Sequence, residues 1–235
     1  PGFLNPAWYG LPTVRAGADG VVRIAGNRLV TYDPASGLTG TTSVSGGYYV
    51  MGWIGQRPDG NEVVVGLELD QFVYELQLLD PDTGVLTTLP VADVAGGFAD
   101  VDAGGTIYVA DSGGVLHVVS PAGVVTTEPL NVTRLSSLWA TSSGLFAAVD
   151  ADGLVRRVGT GWVPVADCAT GAELFNPRVA QRDGRFLGTI EVFDENTGLV
   201  PVAWCRVDPA AGTYERLPGT PPANDFAQHN KSGVT

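Results

Sequence analysis

Two turn motifs recur in this chain at one shared period, and that recurrence limits the fold more than any other feature. The first motif is a Gly-closed turn, most often Asp-Pro-x-x-Gly. It ends at Gly37 in "YDPASG", at Gly84 in "LDPDTG", at Gly123 in "VSPAG", at Gly161 in "RVGTG" and at Gly212 in "VDPAAG". The intervals are 47, 39, 38 and 51 residues. The second is a tight turn before a β-branched run, at Gly20, Gly60, Gly105, Gly144 and Gly184, with intervals of 40, 45, 39 and 40. The two series alternate in fixed order. Self-similarity at this period is the mark of a repeat architecture.

Each period resolves into four short strands. The third reads "GGFADVDAGG", "TIYVADSGG", "VLHVVSPAG" and "VVTTEPL". Runs of Val, Ile, Tyr and Thr bounded by Gly, Asp, Ser and Pro are hairpin signals, and Asp-Gly supplies the positive φ that primed turns need. No stretch keeps a 3.6-residue apolar period with caps, so no helix is expected. Four antiparallel strands per repeat predict an all-β protein, a β-propeller of four-stranded blades. Five units are read, near residues 11–45, 49–93, 97–130, 134–167 and 175–218, within a single domain spanning 1–235. The ends, 1–10 and 219–235, are expected either to close five blades or to share a sixth; five is favoured.

Composition narrows the function. Lys and Arg number 13 against 25 Asp and Glu, a net charge of −12. No nucleic-acid partner is expected, because so acidic a chain has no patch able to neutralise many phosphates. Charged residues are only 16% while 44% are hydrophobic, enough for a packed core. No apolar run approaches the ~18 residues a membrane span needs. The chain starts at Pro1 without a Met or a leader, as expected of a trimmed, exported product. Two sequons, at Asn131 and Asn230, point the same way as candidate glycosylation sites. The two cysteines, Cys168 and Cys205, form either a disulfide or two buried thiols; neighbouring repeats bring them near, and the disulfide is preferred.

Most candidate chemistry in the chain has a turn or core role as its simpler explanation. "ADSGGVL" around Ser112 echoes a serine nucleophile, but the chain's histidines are only His117 and His229, and a Ser-Gly-Gly hairpin explains it. Asp100, Asp102 and Asp111 have calcium-loop-like offsets, yet the segment between them reads as strand. The His and Cys spacings match no zinc site. Most acids sit in turn motifs. Glu68, Asp70, Glu191, Asp194 and Glu195 are the exceptions that a glycosidase reading would use. Among the aromatics Trp8, Tyr9, Tyr48, Tyr49, Trp53, Trp139 and Trp162, packing between blades is favoured over ligand contact. Connections near Ser45–Tyr49, Asp93–Gly97, Asn131–Leu138 and Asp167–Asn176 are expected on one mouth. Candidates for a ligand face are Tyr48, Tyr49, Trp139, Asp111 and Asp194.

The third unit, "VADVAGGFADVDAGGTIYVADSGGVLHVVSPAGVVTTEP", and "SSLWATSSGLFAAVDADGLVRRV" in the fourth resemble a family of secreted or cell-surface β-propeller repeat domains found in adhesin-like proteins. That resemblance implies an extracellular module within a larger assembly. The expectation is therefore a domain that is not an enzyme, holds no cofactor or metal, and binds other extracellular proteins or glycans. A lectin-like propeller is the alternative, and a five-bladed glycosidase a weaker one.

Overall fold

The computed structural model describes residues 2–3, 13–16, 20–26, 28–44, 48–68, 70–71, 73–91, 94, 97–132, 134–149, 153–181 and 183–221. Every regular element among them is a strand. The short β1 (Gly2–Phe3) precedes a first sheet of β2 (Thr13–Ala16), β3 (Val22–Ala25), β4 (Arg28–Tyr32) and β5 (Thr39–Ser43). The second sheet holds β6 (Tyr48–Gln56), β7 (Glu62–Glu68), β8 (Val73–Leu79) and β9 (Leu86–Thr88). The third holds β10 (Phe98–Val101), β11 (Ile107–Ala110), β12 (Val115–Val119) and β13 (Val125–Pro129). The fourth holds β14 (Leu135–Thr141), β15 (Gly144–Val149), β16 (Gly153–Val158) and β17 (Gly161–Pro164). The fifth holds β18 (Leu174–Ala180), β19 (Phe186–Asp194), β20 (Gly198–Asp208) and β21 (Thr213–Leu217). Within each sheet consecutive strands are neighbours and antiparallel. The fold class is a β-propeller of five blades. β1 adds to the third sheet, pairing Gly2 with Ala99 and Phe3 with Phe98.

Local turn chemistry produces this regularity. Gly20, Gly60, Gly105, Gly144 and Gly184 all have positive φ, as do Gly37, Gly84, Gly123 and Gly212. The turns are not of the primed type. Gly60 N–H bonds Arg57 O and Arg57 N–H bonds Asn61 O, and the same pair of bonds recurs at Asp102–Thr106 and Gln181–Arg185. Only the closing glycine of each has positive φ. A primed turn needs positive φ at its first central residue; here a turn followed by one left-handed glycine makes a bulged three-residue loop instead. In the fourth repeat the left-handed residue is Gly159, and Gly161 instead opens β17.

Two compact units are present, one ending at Leu130 and one beginning at Asn131. In the first, β7 is buried along Glu62–Leu67, on both faces, as a mid-sheet strand between packed layers must be. Its Val63 and Val65 join Ile54, Leu76, Ile107 and Val109 in one apolar cluster. Gly55 permits the approach of the third sheet: a Cβ there would lie 2.8 Å from that of Val101. Arg57 fastens the same two sheets by donating to Pro121 O. In the second unit Phe186 packs against Trp139 at 5.4 Å, edge to face, and against Phe146 at 5.0 Å. Cys168 and Cys205 form a disulfide, with Cα atoms 6.0 Å apart. It ties the segment after β17 to β20. The last strands β5 and β21 are short, polar and mostly exposed, which blunts open edges.

Candidate functional site

The fifth sheet departs most from the repeat. Its middle strands, of 9 and 11 residues, outrun their neighbours. Pairing of β18 with β19 stops at Leu174–Glu191, and pairing of β20 with β21 begins at Trp204–Leu217. The hairpin continues alone through Val192–Val200, Phe193–Leu199 and Asp194–Gly198. At its tip Phe193 is 67% exposed and Leu199 50%. These two are cross-strand partners and form one apolar surface. Asp194 closes the turn: its Oδ1 accepts the amides of Asn196 and Thr197 and the Thr197 hydroxyl. The Asn196 amide, followed by the Thr197 hydroxyl and amide, holds this carboxyl below its ordinary value.

The root of the hairpin is a buried polar knot. Glu191, 3% exposed, accepts Arg178 Nη2 at 2.7 Å and the Thr189 hydroxyl at 2.6 Å on Oε1. Asn176 Nδ2 reaches both of its oxygens at 3.1 Å. A buried carboxylate must be compensated in this way, and compensation from two strands makes the root rigid. A bulge after Ile190 places Val202 outside the pairing, and Pro201 lacks an N–H. Both features discourage addition of a foreign strand along this edge, so contact here is made by side chains.

Nearby, Asp167 lies between β17 and β18. Burial raises its carboxyl above the ordinary value, against the Ala169 amide that bonds it at 2.7 Å. An acid whose pKa is raised by folding weakens the fold as pH rises through its unfolded value of ~3.9, and the deficit is complete once the pH has passed the raised folded value. Asp167→Asn keeps an acceptor for Ala169 and is expected to gain up to ~1 kcal/mol at pH 7. The gain should vanish near pH 3; urea midpoints at the two pH values check it.

Other residues singled out in the sequence are dispersed. Trp139 is 1% exposed and lies in the core, so it offers no surface to a ligand. Tyr49 packs on Gly26. Tyr48 donates to Glu75 at 2.7 Å, a bond that raises the phenol's pKa and is joined by Thr88 and Gln77. Asp111 accepts the Val115 amide and pairs with His117 Nε2 at 2.8 Å. Burial acts to raise its carboxyl, but the Val115 amide and His117 outweigh it, and its pKa is lowered. Glu68 accepts Gln71 on the surface. Trp162 stacks under Arg157 at 5.7 Å. Asn131 is exposed with φ 58°, its Nδ2 donating to Thr160 O. Trp8, Tyr9, Ser45, Asp93, His229 and Asn230 lie outside the described residues. Among the described residues no group of three or more His, Cys, Asp or Glu is placed to hold a metal ion, and no helix is long and apolar enough to cross a membrane. Phe193 and Arg178 went unnoticed in the sequence, and Asn176 was named only as the end of a mouth connection; the unusual length of "RFLGTIEVFDENTGLVPVAWCRVD" between turns was the one signal for Phe193.

No protein-family model matches the sequence, and no curated protein matches it. Solved propeller structures do. Hydrazine synthase of Kuenenia stuttgartiensis is similar with a TM-score of 0.59 at 17% identity, over 94% of this chain and 71% of that one. An oligogalacturonate lyase in complex with manganese matches with a TM-score of 0.58 at 11% identity, over 87% and 63%. The dihydro-heme d1 dehydrogenase NirN matches at 0.52 and 15%, over 90% and 47%. Such likeness shows the propeller fold, and of the adhesin-like resemblance it supports only that. It also corrects the expectation that the chain is not an enzyme. Proteins named as a synthase, a lyase and a dehydrogenase share this architecture, so the absence of a familiar motif was no ground for excluding catalysis.

Proposed function

We propose that this protein is an extracellular interaction domain, of the surface-associated kind its repeats resemble, that engages a protein partner through the β19–β20 hairpin. The exposed Phe193–Leu199 pair on a rigid root carries the reading. Large apolar side chains at the end of a fixed element are the anchors that protein interfaces use. Asp194 and Glu195 in the turn favour a partner whose pocket is rimmed by Arg or Lys. The Cys168–Cys205 disulfide is in keeping with a compartment outside the reducing cytosol. Asn131, exposed in its sequon, would carry a glycan there.

The test places a photoreactive phenylalanine analogue at position 193, and as a control at Val124, which is also exposed. Both proteins are irradiated among the surface and secreted proteins of the source cells. A discrete adduct from position 193, absent at 124 and competed by excess wild type but not by Phe193→Ser/Leu199→Ser, is expected. Equal labelling at both positions, or none at 193, overturns the proposal.

A further inference from the structure

A second feature, in the other compact unit and independent of the hairpin, is a cleft of about 390 Å³ on the first sheet. Its walls are Arg23, Thr31 and Thr42 from the sheet, Asp33 and Leu38 from the outer turn, and Asp82 from the corresponding turn of the second sheet. Gly40 forms its floor: a Cβ there would stand 2.7 Å from Thr31 Oγ1. The side chains at this position differ from repeat to repeat, although the fifth sheet also carries a cleft, of about 340 Å³, beside its Arg206 and Glu215. Thr31 and Gly40 are cross-strand partners. The equivalent pairs are Leu78–Thr87 in the second sheet, Val118–Thr126 in the third and Arg206–Glu215 in the fifth. In the fifth sheet an ion pair spans the position. The first sheet alone of these four has a glycine there, and a hydroxyl beside it.

We infer that this cleft is a binding site for a neutral saccharide. Sugar hydroxyls both donate and accept, and the lining offers both: carboxylates that accept, a guanidinium that donates, and threonine hydroxyls that do either. Leu38, 71% exposed at the rim, provides an apolar surface for the C–H face of a sugar ring. The volume lies within the range of small-molecule sites. Two carboxylates against one guanidinium, itself 3.8 Å from Glu62, disfavour an anionic ligand. Leu38 and Asp82 stand on turns and the threonines on strands, so the site uses adjacent repeats and needs no residue of the hairpin.

The experiment is an amide-resolved NMR titration of the full-length protein with methyl glucoside, methyl galactoside and methyl mannoside, each to roughly 50 mM, a range suited to dissociation constants on the order of 1 mM. Calcium chloride and sodium acetate are titrated in parallel. Saturable shifts centred on Thr31, Gly40 and Thr42 with at least one glycoside, and none with acetate, are expected. Leu38→Ser, at an exposed position, and Thr42→Val, which removes only a hydroxyl, are each expected to weaken binding about tenfold without changing the rest of the spectrum. Gly40→Thr, which restores the side chain of the second sheet, is expected to abolish it. Shifts with calcium alone, shifts unaffected by Leu38→Ser and Thr42→Val, or no shift with any of the three glycosides overturns the inference. None of these outcomes bears on the photocrosslink at position 193.

Discussion

Replacing Cys168 and Cys205 together by alanine is expected to lower the stability of the second unit by ~4 kcal/mol. The bridge spans 37 residues of sequence. Removing it frees the unfolded chain to explore states that the crosslink forbids, and the stability lost grows with the logarithm of the loop. Alanine is chosen over serine because Cys205 is fully buried and a hydroxyl there would need a partner. The urea midpoint should fall, and the denaturant dependence should steepen as the unfolded state expands. Hydrogen exchange adds location: amides of β15, β19 and β20 should lose protection, and those of β7 and β11 should not. Reduction of the wild-type protein should reproduce the double mutant. An unchanged midpoint in both would show that the bond makes no contribution to the fold.

Phe186→Ala is expected to cost about 3–5 kcal/mol, whereas Phe193→Ala should change stability by no more than ~0.5 kcal/mol. Both residues lie on β19. Phe186 is fully buried between Trp139 and Phe146, in the same cluster as Ile190 and Cys205. Truncation there removes a ring from two aromatic contacts and leaves a cavity that β-sheet neighbours cannot collapse to fill. Phe193 stands in solvent beyond the last cross-strand partner of β18. Thermal melts of the two variants give the contrast directly. If Phe193→Ala proved as destabilising as Phe186→Ala, the hairpin tip would be packed against the protein, and its role in partner binding would fall with that result.

The pair of phenylalanines shows where sequence reading stops. Strand alternation alone gives no exposure for position 193, because what exposes it is that β18 pairs with β19 only as far as Glu191 and β21 pairs with β20 only from Trp204 onward. Those are properties of partners distant in sequence. Trp139 teaches the same in reverse: offered as a ligand-face candidate although packing was favoured for the aromatics, it lies on β14, packed edge to face against Phe186. The acids divide likewise. Asp33, Asp80, Asp194 and Asp208 each accept the amide of a residue two or three positions ahead. That role is local and legible from the Asp-Pro-x-x-Gly strings at Asp33, Asp80 and Asp208; Asp194, set apart from the turn motifs in the sequence, proves to be a turn acid as well. Glu191 looked equally available for catalysis, but Arg178 and Asn176, brought beside it by strand pairing, occupy it.

By itself the sequence determined an all-strand chain, its four-to-a-repeat grouping and where most turns fall, with five sheets favoured over six; the type of those turns it did not give. Positive φ at a glycine and an Asx bond to a following amide are decided within five residues. Two cysteines in adjoining repeats left one intramolecular pairing to consider. Only the tertiary structure decided which aromatic is core and which is surface, which carboxylate is compensated, and which side chains from two repeats meet around the cleft beside Gly40. These depend on what packs against each residue from strands far away in the chain, and a repeat that reads the same in every blade carries no record of where its neighbours end.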